Sequence, residues 1–206
     1  MFRDRRNAGA MLAAQLIRYS GKPGVIVFGI PRGGVVVAKV VADSLHLPLK
    51  GFVVRKLGAP GNPELAIGAV SHDGKPYWNE DVLRFLSVSS DYKITVLKKE
   101  FEEVRRRMKA FGITDSTEVT GQTVIAVDDG IATGATLKAA IDCWRHQGPC
   151  KIIVAVPVCS PDTAKEFRSM ADEFICLETP SHFASVGQFY ERFSQTMDEE
   201  VCALLE

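Results

Sequence analysis

An open, mainly parallel twisted β-sheet with helices on both faces is the α/β architecture that this sequence predicts. Three observations predict it. Short apolar runs of strand length alternate with stretches of helical periodicity, as when parallel strands are joined by crossover helices. The runs are apolar almost throughout, as in strands covered on both faces. Polar, glycine-rich turns follow three of the runs, and open parallel sheets collect ligands at such strand ends. The 206 residues suffice for one domain with a substantial core, and no repeat, low-complexity segment or linker divides them. The expectation is a single domain over 1–206, with a lid loop over about 55–80 and a hood with helices over about 179–206.

From Arg3 to Tyr19 the apolar residues Ala8, Met11, Leu12, Leu16 and Tyr19 recur at helical spacing, and SGKPG ends that helix. Gly24–Ile30 (GVIVFGI) reads as a buried strand, broken by PRGG. Val35–His46 is ambiguous: its valines favour a strand. Val37, Val40, Val41 and Leu45 fit one helix face, however, and a parallel neighbour requires a crossover. Leu49–Leu57 is the next strand, and GAPGNPELAIG, dense in glycine and proline, reads as an ordered or hinged loop.

Ser90–Phe111 is the clearest helix, with a narrow seam of Ile94, Leu97, Phe101, Val104, Met108 and Phe111. Its Arg105-Arg106-Arg107 run is read as a solvated face, because Glu102 and Glu103 precede Arg106 and Arg107 by four residues. Thr123–Asp129 is a strand, and Thr136–Gln147 lies on a helix closed by Gly148. Ile152–Val158 is another strand, and Ser160-Pro161 opens a helix with proline at its first position. Glu173–Glu178 completes the strands, and Thr196-Met197-Asp198-Glu199 reads as a capping box for a last short helix.

Composition excludes several classes of function. Lys+Arg and Asp+Glu balance at 25 each, so no whole-protein field attracts nucleic acid or an anionic membrane, and any anion must be held locally. Neither partner is expected, and no stretch approaches the roughly 18 apolar residues of a membrane span. The five cysteines are odd in number and lack a C-x-x-C pair, which suits a reduced, cytoplasmic setting. His46, His72, His146 and His182 are scattered without ligand spacing, so no protein-built metal site is expected. Sequence fingerprints for dinucleotide binding, the P-loop, phosphohydrolases and nucleophile elbows are missing.

The chemistry gathers in the three turns: Pro31-Arg32-Gly33-Gly34, Arg55-Lys56 with the loop after it, and Asp128 to Thr136 (DDGIATGAT). The last leads into a helix N-terminus, whose unpaired N–H groups and dipole favour an anion. Gly130 and Gly134 permit a tight turn, and Thr133 and Thr136 add hydroxyl donors, which together describe a phosphate cradle. Asp128 and Asp129 would repel that phosphate, so they must face another part of the ligand: vicinal sugar hydroxyls, or a divalent cation that the ligand carries. Each feature alone has a plainer reading. The acids could be a turn and an N-cap, Arg32 a turn residue, Arg55-Lys56 an exposed strand end, and Asn62-Pro63-Glu64 turn chemistry. His182 reads as partly exposed, and Phe183 as a hydrophobic anchor.

A hydrophobic strand, two acids and then x-x-x-Thr-Gly-x-Thr resembles the phosphoribosyl-diphosphate (PRPP) signature of the type I phosphoribosyltransferases. The wider pattern FRDR…GIPRGG…VRK-G-PGNPE is similar to a poorly characterised bacterial branch of that family. The resemblance implies that Asp128 and Asp129 bind the ribose hydroxyls, and that Gly130, Ile131, Ala132, Thr133, Gly134, Ala135 and Thr136 bind the 5′-phosphate. It implies that Arg32, Gly33 and Gly34 bind pyrophosphate, with Arg55 and Lys56 supplied by a basic lid. Arg55, Lys56, Asp128 and Asp129 would be the catalytic set. Mg²⁺ would arrive on PRPP, touching Asp128 or Asp129 at most through water.

The implied activity is cytoplasmic transfer of phosphoribose to a nitrogenous acceptor, with release of pyrophosphate, in nucleotide metabolism. A homodimer is consistent with the family. The alternative is a PRPP- or nucleotide-binding regulatory module on the same scaffold. Ala132 stands where 6-oxopurine enzymes of the family have an aspartate, which disfavours such an acceptor. Glu64 belongs to the pattern without a chemical role, and Pro180–Phe189 with part of Gly74–Trp78 is the expected acceptor region.

Overall fold

The computed structural model describes residues 1–114 and 118–206, apart from the side chain of Glu64. Five strands form one wholly parallel sheet: β1 (Val25–Gly29), β2 (Leu49–Gly51), β6 (Thr123–Val127), β7 (Lys151–Val158) and β8 (Glu173–Glu178), ordered β2-β1-β6-β7-β8. Alternation along β6 shows how the sheet is covered. Ile125 and Val127 face a core shared with Leu12 of α1 (Arg5–Gln15) and Val37 and Val41 of α2 (Gly33–Leu45). Val124 and Ala126 face the other core, with Leu137 and Trp144 of α5 (Ala135–Arg145) and Phe167 of α6 (Pro161–Met170). Both sides of every central strand are therefore dry, which is why the runs lack polar alternation.

The ambiguity over Val35–His46 resolves as helix, which begins two residues early, at Gly33. The crossover requirement outweighs the β-preference of valine because Val35, Val37 and Val41 all reach buried positions on one helix. Two other readings need correction. Leu49–Leu57 is not one strand: β2 ends at Gly51, and β3 (Val54–Ala59) joins a separate antiparallel sheet, ordered β3-β4-β5, with β4 (Asn62–Ser71) and β5 (Pro76–Trp78). Nor is GAPGNPELAIG a loop. Pro60-Gly61 is the turn of the β3–β4 hairpin, and the register shifts around Gly58 make a bulge that admits Pro63 into the strand. The expected lid is thus a small sheet seated against α5 and against α4 (Ser90–Ala110).

A short helix, α3 (Glu80–Leu86), precedes α4 and has no counterpart in the sequence reading. On α4 the apolar seam turns from the expected line: Ile94 is 66% exposed, while Val96 and Glu100 are buried against the small sheet. Glu103 alone takes both Arg106 and Arg107, and those two guanidiniums hold its carboxyl down at about 2. The last helix, α7 (Asp198–Leu205), begins after Met197 without a side-chain cap, so Thr196 does not form the expected capping box. A capping box does occur at Ser185 and Gln188, opening the 3-10 turn Val186–Phe189. The hood is tied to the chain's start: Phe2 N–H donates to Phe189 O at 2.8 Å, and Glu191 N–H donates to Phe2 O at 2.8 Å. All five cysteines are free thiols.

Candidate active site

Strands β1 and β6 lie side by side, so the turns that follow them meet at one edge of the sheet. Ile30 N–H still donates to Val127 O at 3.0 Å, carrying the pairing one residue past β1. Beyond it α2 begins at Gly33, and its N-cap residue, Arg32, makes no side-chain hydrogen bond to the first turn. After β6 come Asp128 and Asp129, then the turn into α5. Gly134, at φ +70°, is the N-cap of α5 and offers no side chain to the helix's first N–H groups. Two helix N-termini with no side-chain cap therefore open at the ends of neighbouring strands, both presenting donors and positive dipole ends.

The outer limb of the turn is anchored from the end of β7 and from α6. Ile131 N–H donates to Val158 O at 2.8 Å, and the Ile131 side chain is buried. Thr163 Oγ1 donates to Ala132 O at 2.7 Å. Ile131 thus holds the turn in place with its N–H already used, while Ala132, Thr133 and Thr136 stay at least partly exposed. The later amides of the turn and the two threonine hydroxyls are the groups left to act as candidate anion donors.

The acids sit between the two helix ends. A Cβ on Gly33 would overlap the Asp129 carboxylate, and one on Gly34 would stand 2.7 Å from Asp128 Oδ1, so only glycine lets α2 approach this closely. Asp128 Oδ1 accepts from the Asp129 N–H at 2.8 Å. Asp129 Oδ2 accepts from Arg5 Nε at 2.7 Å, and Tyr190 donates its hydroxyl to Asp129 O at 2.6 Å. Burial, then repulsion from Asp129, pushes the Asp128 carboxyl well above the usual carboxylate range. Burial also raises Asp129, but Arg5 opposes the rise. Burial raises the Tyr190 phenol, which stays neutral.

The remaining basic residues divide. Lys56 lines a cavity of about 510 Å³ between the small sheet and α5, whose walls include Thr133 and Ala135 of the turn after β6 and Tyr77, Trp78, Lys138 and His146. Arg55, next in sequence, instead donates from Nε to Glu100 Oε2 at 2.8 Å on α4. Arg32 stands at the start of α2 but turns its guanidinium to Asp198 at 3.4 Å. A second cavity of about 250 Å³ is lined by Arg5, Arg6 and Arg192, with Ser194, Asp4 and Glu200. The structure therefore gathers Gly33, Gly34, Asp128, Asp129 and the turn to Thr136 at one edge, and sets Lys56 across a cavity from that turn. Arg55 it does not bring there.

Sequence reasoning missed Arg5, Tyr190 and Thr163. The FRDR pattern was the available signal for Arg5; nothing marked the other two. Phe183 packs beside Phe189, with ring centroids 5.3 Å apart, and His182 is exposed. Among the described residues no group of three or more His, Cys, Asp or Glu side chains could hold a metal ion, and no helix is long and apolar enough to cross a membrane.

Comparison with known proteins places this arrangement. The family model described as the phosphoribosyl transferase domain matches residues 4–193. Two relatives from Mycobacterium tuberculosis, strains CDC 1551 and H37Rv, are provisionally named phosphoribosyl transferases MT0597 and Rv0571c. Each is 46% identical over 207 residues, covering 100% of this chain and 46% of the relative. The chain thus spans about half the length of the curated relatives it matches. The crystal structure of TT1426 from Thermus thermophilus superposes with a TM-score of 0.92 at 40% identity, over 99% of this chain and 97% of that one. AQ2163 from Aquifex aeolicus, at 12% identity and a TM-score of 0.52 over 85% of this chain and 74% of that one, shares the fold. With two helix ends facing a pair of acids and a family match across nearly its whole length, this chain belongs to the phosphoribosyl transferase domain family.

Proposed function

We propose that the chain binds PRPP and transfers its phosphoribosyl group to a nitrogenous acceptor, releasing pyrophosphate. The observation that carries this reading is the pair of helix N-termini without side-chain caps, opening beside each other with two carboxylates between them. A ligand with a monophosphate at one end, a diphosphate at the other and a diol between them fits that order of charges. The 5′-phosphate would sit on the amides of Gly134 to Thr136 and the hydroxyls of Thr133 and Thr136, and the diphosphate on the start of α2 at Gly33 and Gly34. The ribose hydroxyls would donate to Asp128 and Asp129, since each carboxylate commits one oxygen to the protein and has a second to offer.

In the reaction, the acceptor nitrogen's lone pair forms a bond to the anomeric carbon while that carbon's bond to the diphosphate oxygen breaks. The electron pair leaves with pyrophosphate, and the acceptor then loses a proton. Positive charge develops on the ribose ring, close to the two acids, and negative charge on the leaving group, close to a helix dipole. Lys56 would approach from the small sheet, across the cavity that this sheet and α5 enclose beside the turn. Mg²⁺ would come bound to the diphosphate, keeping several waters, and would neutralise the leaving charge. The acids suit contact with such an ion through water.

The test is a pyrophosphate-release assay with Mg²⁺-PRPP and a panel of nitrogenous bases, paired with calorimetric PRPP binding. Release with one acceptor is the expected result. Binding without release across the panel would point to a sensor, and no binding at all would end the reading. Asp129→Asn is expected to weaken ribose 5-phosphate binding about tenfold with the fold intact.

A further inference from the structure

The FRDR stretch at the head of the chain has no part in the chemistry above, yet Arg5 contacts the acid pair directly, Phe2 leads to it through Tyr190, and Arg3 and Asp4 fix the segment that carries them. Phe2 is buried beside Tyr190, with ring centroids 5.3 Å apart, and Tyr190 in turn bonds the Asp129 carbonyl. Arg3 O accepts from Arg192 N–H at 3.1 Å. Asp4 caps α1, accepting from Asn7 N–H at 2.8 Å. Arg5, on the first turn of α1, reaches Asp129.

We propose that Arg5 is a positioning residue that holds the Asp129 carboxylate in the orientation that grips the sugar hydroxyls. This rests on the reading of the acids as ribose ligands. The guanidinium spans two partners at once: Nε donates to Asp129 Oδ2 at 2.7 Å, and Nη1 donates to Ser194 O of the hood at 2.7 Å. Phe193 lies beneath it, with its ring centroid 3.8 Å from Cζ, so the plane of the fork is set by packing. The side chains of Arg5 and Asp129 are only 11% and 15% exposed, which limits screening by water. On the α2 side, Gly33 leaves the space that the pair occupies.

Among the described residues, the charged or titratable groups facing Asp129 are Arg5 from α1, Asp128 from its own turn and Tyr190 from the hood, while α2 approaches through Gly33. Arg5 is the one cation among them. Without it, two adjacent, largely buried carboxylates face each other without that cation, and Asp129 must take up a proton or swing away. Either change spoils an acceptor aimed at a hydroxyl but leaves the α5 amides as they were. Lysine supplies the charge without the planar fork and cannot hold both partners in the same way.

The test compares two probes, ribose 5-phosphate and inorganic phosphate, binding to the wild type, Arg5→Ala and Arg5→Lys by NMR titration. Arg5→Ala is expected to lose ten- to a hundredfold in affinity for ribose 5-phosphate, with inorganic phosphate held within about threefold. Arg5→Lys should fall between the two. Equal losses for both probes would show a structural role and overturn the proposal alone, as would an unchanged affinity for the sugar phosphate. A wild type that binds neither probe would overturn the functional reading and this inference with it. Should Arg5→Ala fail to fold, Arg5→Lys carries the comparison: a selective loss for the sugar phosphate supports the assignment, and a parallel loss ends it.

Discussion

Asp128 is held in an unfavourable setting: beside a second carboxylate, with α2 pressed against it through Gly34. Its carboxyl is raised in the folded protein, so the native state binds its proton more tightly than the unfolded chain does. The ionised form therefore costs stability at neutral pH, and that cost disappears as pH falls through the raised value towards the ordinary carboxylate range. Asp128→Asn is expected to stabilise the ligand-free protein at pH 7.5 by about 0.5–2 kcal/mol. Denaturant unfolding should show the gain shrinking towards pH 4, while ribose 5-phosphate affinity falls at every pH. An Asn variant less stable than wild type at pH 7.5 would contradict the account of strain at this position. A site that trades stability for charge in this way is the common signature of a functional cleft.

The β3–β4 hairpin places two neighbouring cations on different tasks. Successive residues of a strand point to opposite faces, so Lys56 lines the cavity by Thr133 and Ala135 while Arg55 reaches Glu100 on α4. Lys56→Ala is expected to weaken PRPP binding about tenfold, as loss of one charge-assisted contact would. Arg55→Ala should leave that affinity within twofold and lower stability by about 1 kcal/mol, since Glu100 is left largely buried without that partner. Calorimetry for binding and urea melts for stability separate the two effects. Reversed results would mean that the small sheet changes its seat when PRPP binds.

Across the whole molecule, the start of the chain and the hood form one clasp over the acid pair. Phe2 is 1% exposed, adds its backbone to the strand-like pairing with Phe189 and Glu191, and packs among Val158, Phe183 and Phe193. Phe2→Ala is expected to cost about 3–5 kcal/mol and to lower PRPP affinity through the loosened Tyr190 and Arg5 contacts. Thermal melts with and without PRPP read both. A variant with wild-type affinity would uncouple the clasp from the site.

The sequence by itself determined the parallel sheet, most of the helices that cover it and the glycine- and threonine-rich turn after the paired acids. Each of these depends on local patterning: apolar runs, helical spacing, and glycine and threonine beside paired acids. The structure alone decided which distant groups meet. Leu49–Leu57 reads as one strand because apolarity is continuous along it, and nothing local records that the chain changes sheets after Gly51. Nor does spacing reveal that Arg55 turns to α4, that Thr163 anchors the turn before α5, or that Arg5 crosses 124 positions to reach Asp129. Such pairings arise from packing between elements, where a side chain's partner is set by the path of the backbone rather than by its neighbours in the chain.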